Sequence, residues 1–96
     1  MEEKVEMLAR MARVLKVIAH PVKLSIVELL GDGQPRCVSQ IQETLEVEQS
    51  LLSHYLIMMK DKGVLVSRRE GKRSFYSLAD RRILRIFDCM GNCRID

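Results

Sequence analysis

A three-residue connection constrains this chain more than any other feature. Residues 38–45 carry Ile41 and Leu45 one helical turn apart, and residues 49–63, QSLLSHYLIMMKDKG, carry Leu52, Leu56 and Met59 at the i, i+4, i+7 spacing of a buried helical face. Only Glu46-Val47-Glu48 lies between them. The second helix also changes character along its length. Gln49, Ser50, Ser53 and His54 gather at its first turns, Ser50, Ser53, His54 and Ile57 lie roughly opposite the buried face, and Gly63 stops it.

The flanking segments set the context for this pair. Residues 3–19 place Val5, Leu8, Ala12, Leu15 and Ala19 on one helical stripe and Met7, Met11, Val14 and Ile18 on a second beside it. A helix apolar over so wide an arc is expected to pack on two surfaces, its own domain and a partner. Pro21 suits the first position of a second helix, with Leu24, Val27 and Leu30 pointing inward and Gly31-Asp32-Gly33 ending it. Beyond Gly63, LVSRRE and RSFYSL read as two strands joined through Glu70-Gly71-Lys72, a hairpin with a basic tip. A last helix, about residues 80–89 or beyond, carries Ile83, Leu84, Ile86, Phe87 and Met90 over another wide arc. The expected fold is therefore mainly α with a small β-hairpin: a winged helix-turn-helix, dimeric through its first and last helices, whose fourth helix lies in a major groove.

Length and charge agree with this reading. Ninety-six residues, 47% of them hydrophobic, suit one domain over residues 1–96 and leave no room for a second. The start, MEEKVEM, is acidic and the apolar runs are short, so neither a signal peptide nor a membrane span is expected. Three cysteines, an odd number, point to reduced thiols in a cytoplasmic protein. The net charge is only +3, but residues 1–59 carry 6 basic and 8 acidic groups and residues 60–96 carry 10 and 5. Arg68, Arg69, Lys72 and Arg73 concentrate that excess at the hairpin tip, where contact with phosphates is expected. On the fourth helix, Gln can pair bidentately with adenine, Ser can donate to or accept from base edges or phosphates, and His54 can donate to either.

Three pieces of the chain, in order and at the usual spacing, carry a family resemblance. AHPVKLSIVELL, VEQSLLSHYLIMMKDKGVL and REGKRSFYSL resemble the second-helix region, recognition helix and wing of the ArsR/SmtB family of bacterial winged-helix repressors. The resemblance implies a homodimer that binds double-stranded DNA with an imperfect inverted repeat and releases it when an effector binds. It also implies that Gln49, Ser50, Ser53 and His54 act at the DNA, since they match recognition-helix residues of family members. Glu48 stands where a serine is common in the family; Glu is the weaker cap, and its charge near phosphates counts against DNA contact there.

The family's effector sites are incomplete here. Members with a zinc site on the last helix use an Asp and a His near its start; Asp80 is present, but Arg82 takes the His-like position, with Cys93 and Asp96 at the far end, and arginine cannot ligate zinc. Where arsenic- and cadmium-sensing members have Cys-Val-Cys, this chain has Cys37-Val38-Ser39. Some relatives sense persulfide or oxidation through a cysteine on the second helix, near where Glu28 stands. No metal site and no cofactor are therefore expected. Cys89 and Cys93 remain, four apart on one helical face. Three readings stay open: packing residues, a thiol sensor responding to oxidant or sulfur species by distorting the helix end at Gly91-Asn92, or a soft metalloid held by Cys89, Cys93 and Cys37. Only two histidines are present, and His20 reads as a junction residue before Pro21.

A winged helix that docks an acidic protein partner through its basic hairpin is the alternative from another functional class. An enzyme is the least supported: there is no Gly-rich phosphate loop, no acid pair at catalytic spacing, and no His adjacent to a cysteine.

Overall fold

The computed structural model describes residues 2–85 and 88. In chain order it has α1 (Glu2–Ile18), α2 (Pro21–Leu29), a 3₁₀ turn (Leu30–Asp32), β1 (Arg36–Cys37), α3 (Val38–Leu45), α4 (Gln49–Asp61), β2 (Leu65–Glu70), β3 (Arg73–Leu78) and a second 3₁₀ turn (Arg81–Leu84). Helices α2, α3 and α4 and the inner half of the sheet enclose one core, in which Ile26, Leu30, Ile41, Leu52, Leu56 and Met59 are wholly buried.

Local chemistry explains three of the helix ends. His20, the expected junction residue, caps α2: its Nδ1 accepts from the Val22 N–H at 3.1 Å, and Pro21 follows at the first helical position. Helix α4 ends in a Schellman motif. Gly63 takes φ +83, its N–H donates to the Lys60 carbonyl at 3.0 Å, and the Val64 N–H donates to Met59 at 2.9 Å, with Val64 and Met59 both buried. The turn between α3 and α4 depends on Glu46, which caps α3 in the left-handed region at φ 53 and donates its N–H to the Gln42 carbonyl. A β-branched residue is strained there and glycine is not. Glu46→Val is expected to cost about 1–2 kcal/mol and Glu46→Gly to leave the melting temperature unchanged or slightly raised, as thermal unfolding of the pair would measure.

The sheet has one strand more than the sequence indicates. Arg36 pairs with Tyr76 and Cys37 with Phe75, so β1 adds to the hairpin and the strand order is β1-β3-β2, antiparallel throughout. Two residues carry no periodicity; this strand exists because the chain is held beside β3. Arg36 does much of the holding. Its guanidinium donates to both oxygens of Asp32, at 2.9 and 2.7 Å, and to the Leu29 carbonyl at 3.0 Å, and the pairing holds the Asp32 carboxyl down to about 2.

Helix α1 meets the core only near its C-terminus, where Ile18 is buried and Val14 and Val17 pack against the cluster. Val5, Met7, Leu8, Met11 and Leu15 remain 42–61% exposed. Of the two surfaces expected for this helix, its own domain takes the smaller share. The last helix differs at its start: Asp80 caps it through the Arg82 N–H at 2.9 Å, but the first turn is 3₁₀. The rest of the expected last helix, Ile86, Phe87, Cys89 and Met90, lies outside the described residues. Among the described residues, no helix is long and apolar enough to cross a membrane.

Candidate nucleic-acid interface

Helix α4 sorts its side chains by the 3.6-residue period. Leu52, Leu56 and Met59 face the core with no exposed surface, while Gln49, Ser50, His54 and Ile57 are exposed and Ser53 is half-buried on the flank. The polar first turns are thus held by the apolar later ones. Tyr55 adds a second brace. Its hydroxyl lies 3.4 Å from His20 Nε2, and the Lys23 ammonium sits 5.4 Å from the centre of its ring. Because His20 Nδ1 accepts from Val22, Nε2 carries the proton of the neutral ring and donates to Tyr55. The start of α2 is thereby tied to the residue beside His54. Sequence reasoning missed this link, since residues 35 positions apart announce it by no spacing.

Glu48 is a better cap than its residue type suggests. Its two carboxylate oxygens accept separately from the Ser50 and Leu51 N–H groups, both at 3.0 Å, and these bonds hold its pKa below the usual glutamate value. The positive end of the α4 dipole, ready-made for a phosphate, is therefore occupied by the protein's own anion. The stability this cap adds is present above the ordinary glutamate range and is lost as pH falls through the lowered folded value. Glu48→Gln is expected to be less stable than the parent at pH 7 and to converge with it in acid, as urea midpoints measured across that range would show.

Strand alternation divides the basic cluster of the hairpin. Arg68 pairs with Phe75 and Glu70 with Arg73, so Arg68, Glu70 and Arg73 share one face. Arg69, opposite Ser74, continues the row of Leu65 and Ser67 on the other. Lys72 is at the tip, in a two-residue turn whose first position, Gly71, has φ +63, the pattern of a II′ hairpin. Glu70 holds Arg68 at 2.7 Å in an exposed pair, and Arg69 Nε donates to the Gly71 carbonyl at 3.3 Å. Neither exposed contact is costly to exchange for one with a phosphate.

Of the three cysteines, Cys37 alone falls among the described residues. Cys37 is buried at the start of α3, its Sγ 3.2 Å from the Ser39 hydroxyl, which draws the thiol pKa down, and its N–H donates to Gln40 Oε1 at 2.9 Å. Cys89 and Cys93 lie outside the described residues. Asp80 is bound by the Arg82 guanidinium at 2.6 Å and held down to about 2. Among the described residues, no three His, Cys, Asp or Glu groups are placed to hold a metal ion.

Comparison with known proteins identifies the architecture. The family described as "Bacterial regulatory protein, arsR family" matches residues 20–67. The HTH-type transcriptional regulator MJ1325 of Methanocaldococcus jannaschii is 33% identical over 75 residues, 78% of this chain and 84% of that protein. The HTH-type transcriptional repressor SmtB of Mycobacterium tuberculosis is 36% identical over 81 residues, 84% of this chain but 59% of its own length. The homodimeric winged helix-turn-helix DNA-binding domain Mb0332 of Mycobacterium bovis, solved in solution, superposes with a TM-score of 0.75 at 30% identity, covering 95% of this chain and 83% of that one. The matched segment runs from the cap of α2 through the recognition helix into the first wing strand, and the chain belongs to the arsR family as a winged helix-turn-helix, DNA-binding transcriptional regulator.

Proposed function

We propose that the chain acts as a homodimeric repressor that places α4 of each subunit in the major groove of an imperfect inverted repeat and its wing against the adjoining backbone. One observation carries this: the exposed polar first turns of α4 are fixed by a wholly buried stripe on the same helix. Gln49, Ser50, Ser53 and His54 read base edges or flanking phosphates, and Arg68, Arg69, Lys72 and Arg73 take phosphates. Basic residues on both faces of a hairpin suit a wing lying between two phosphate walls. The exposed apolar stripe of α1 supports the dimer, because a surface of that kind needs a second copy or another partner to cover it.

Relief of repression falls to an effector acting on the cysteines, with Cys89 and Cys93 as the reacting pair and no resident cofactor. A cytoplasmic setting would keep these thiols reduced until they are challenged. Gel-shift titration against DNA upstream of the chain's own gene tests the main reading; no sequence-preferring complex at moderate salt would sink it. Mass spectrometry after oxidant, polysulfide or arsenite, beside a DNA-release assay, tests the effector. Release that persists in a Cys89→Ser, Cys93→Ser variant rules out that pair.

Glu48 bears on affinity as well as stability. With serine in its place, the α4 N-terminus keeps a neutral cap and regains its attraction for phosphate. Glu48→Ser is expected to bind DNA several-fold more tightly, with the slope of log K against log salt steeper by about 1 per subunit.

A further inference from the structure

The outward face of α4 is not purely polar. Leu51 is 42% exposed and Ile57 53% exposed, neither belongs to the buried core, and they stand three residues before and three after His54. Residues 51, 54 and 57 therefore cross the exposed face obliquely, an aliphatic group on either side of the imidazole. A single exposed aliphatic residue needs no explanation. Two of them flanking His54 on the face proposed for the groove have a chemical consequence once that face meets DNA.

The edges of the bases carry hydrogen-bonding atoms in the major groove, and the one apolar substituent that projects from them is the C5 methyl of thymine. An aliphatic side chain pressed on a guanine, cytosine or adenine edge strips water from donors and acceptors and returns nothing. Against a thymine methyl, apolar surface leaves water on both sides. We propose that Leu51 and Ile57 are specificity-determining residues that read thymine methyl groups on either side of the base or phosphate contacted by His54. The inference rests on the groove-bound orientation of α4 proposed above and adds a base preference to it.

Uracil in place of thymine removes that methyl and leaves every hydrogen-bonding atom, so the test can be made one carbon at a time. A duplex is first selected from a randomised pool with the full chain, then remade with each thymine replaced singly by uracil. Affinity is expected to fall about fourfold at two positions in each half-site. Ile57→Gln is expected to bind the thymine and uracil duplexes equally at one of them, and Leu51→Gln at the other. Gln retains helix propensity and both side chains are exposed, so circular dichroism and melting temperature should match the parent. A selected duplex that tolerates uracil throughout overturns this inference and leaves the groove-bound orientation standing. Failure to select any preferred duplex overturns both.

Discussion

Leu56→Ala is expected to remove about 2–5 kcal/mol of folding stability, a fall in melting temperature of about 10–30 °C for a chain of this size. Leu56 is wholly buried near the middle of α4 and belongs to the cluster that joins this helix to α2, α3 and the sheet. Truncation there opens a cavity in a cluster whose other members, among them Leu52 and Met59 on the same helix and Leu65 on the strand that follows it, are themselves buried. Leu51→Ala, the same chemical change five residues earlier on the same helix, is expected to cost no more than about 0.5 kcal/mol, because Leu51 is 42% exposed. Urea unfolding of the two variants at one protein concentration separates the cases; similar losses would mean that the buried and exposed faces of α4 are misassigned. The comparison also guards functional assays: failure of Leu56→Ala to bind DNA reports an unmade helix, whereas failure of an exposed-face variant reports a missing interaction with the duplex.

The same division explains what could be read from the sequence. Leu52, Leu56 and Met59 announce their face by spacing alone, and the α4 stop was legible because Gly63 supplies the positive φ that a Schellman end requires. The wing was legible as alternating strands around a glycine turn. By contrast, β1 is two residues with no pattern, and its position follows from pairing with Phe75 and Tyr76 almost forty residues later. The Glu48 cap was undervalued because propensity averages over many geometries, while here both carboxylate oxygens find separate donors. The tie between His20 and Tyr55 is of the same kind as β1, a product of tertiary approach. For α1, the sequence expressed an apolar arc wider than one domain requires, and the structure shows which part the domain uses.

Wing and recognition helix should fail in different ways when their side chains are removed. Combined replacement of Arg68, Lys72 and Arg73 by alanine is expected to weaken binding to preferred and arbitrary duplexes by the same factor. It should also flatten the salt dependence by about 1 in the slope of log K against log salt for each phosphate no longer neutralised, about 3 per wing. Phosphates carry no sequence, so discrimination between duplexes should survive. Glu70 sharpens the test. It lies 2.7 Å from Arg68 and opposite Arg73 in the strand register, a local counterion that any phosphate must displace. Glu70→Gln is therefore expected to tighten binding to all duplexes alike. Alanine at Gln49, Ser53 and His54 should do the opposite: discrimination falls about tenfold to a hundredfold for each base edge no longer read, while the salt slope changes little. If the wing variant instead lost sequence preference and kept its salt slope, the arginines would be reading bases in a groove. If neither set altered DNA binding and the wing variant lost an acidic protein partner, the hairpin would belong to a protein interface.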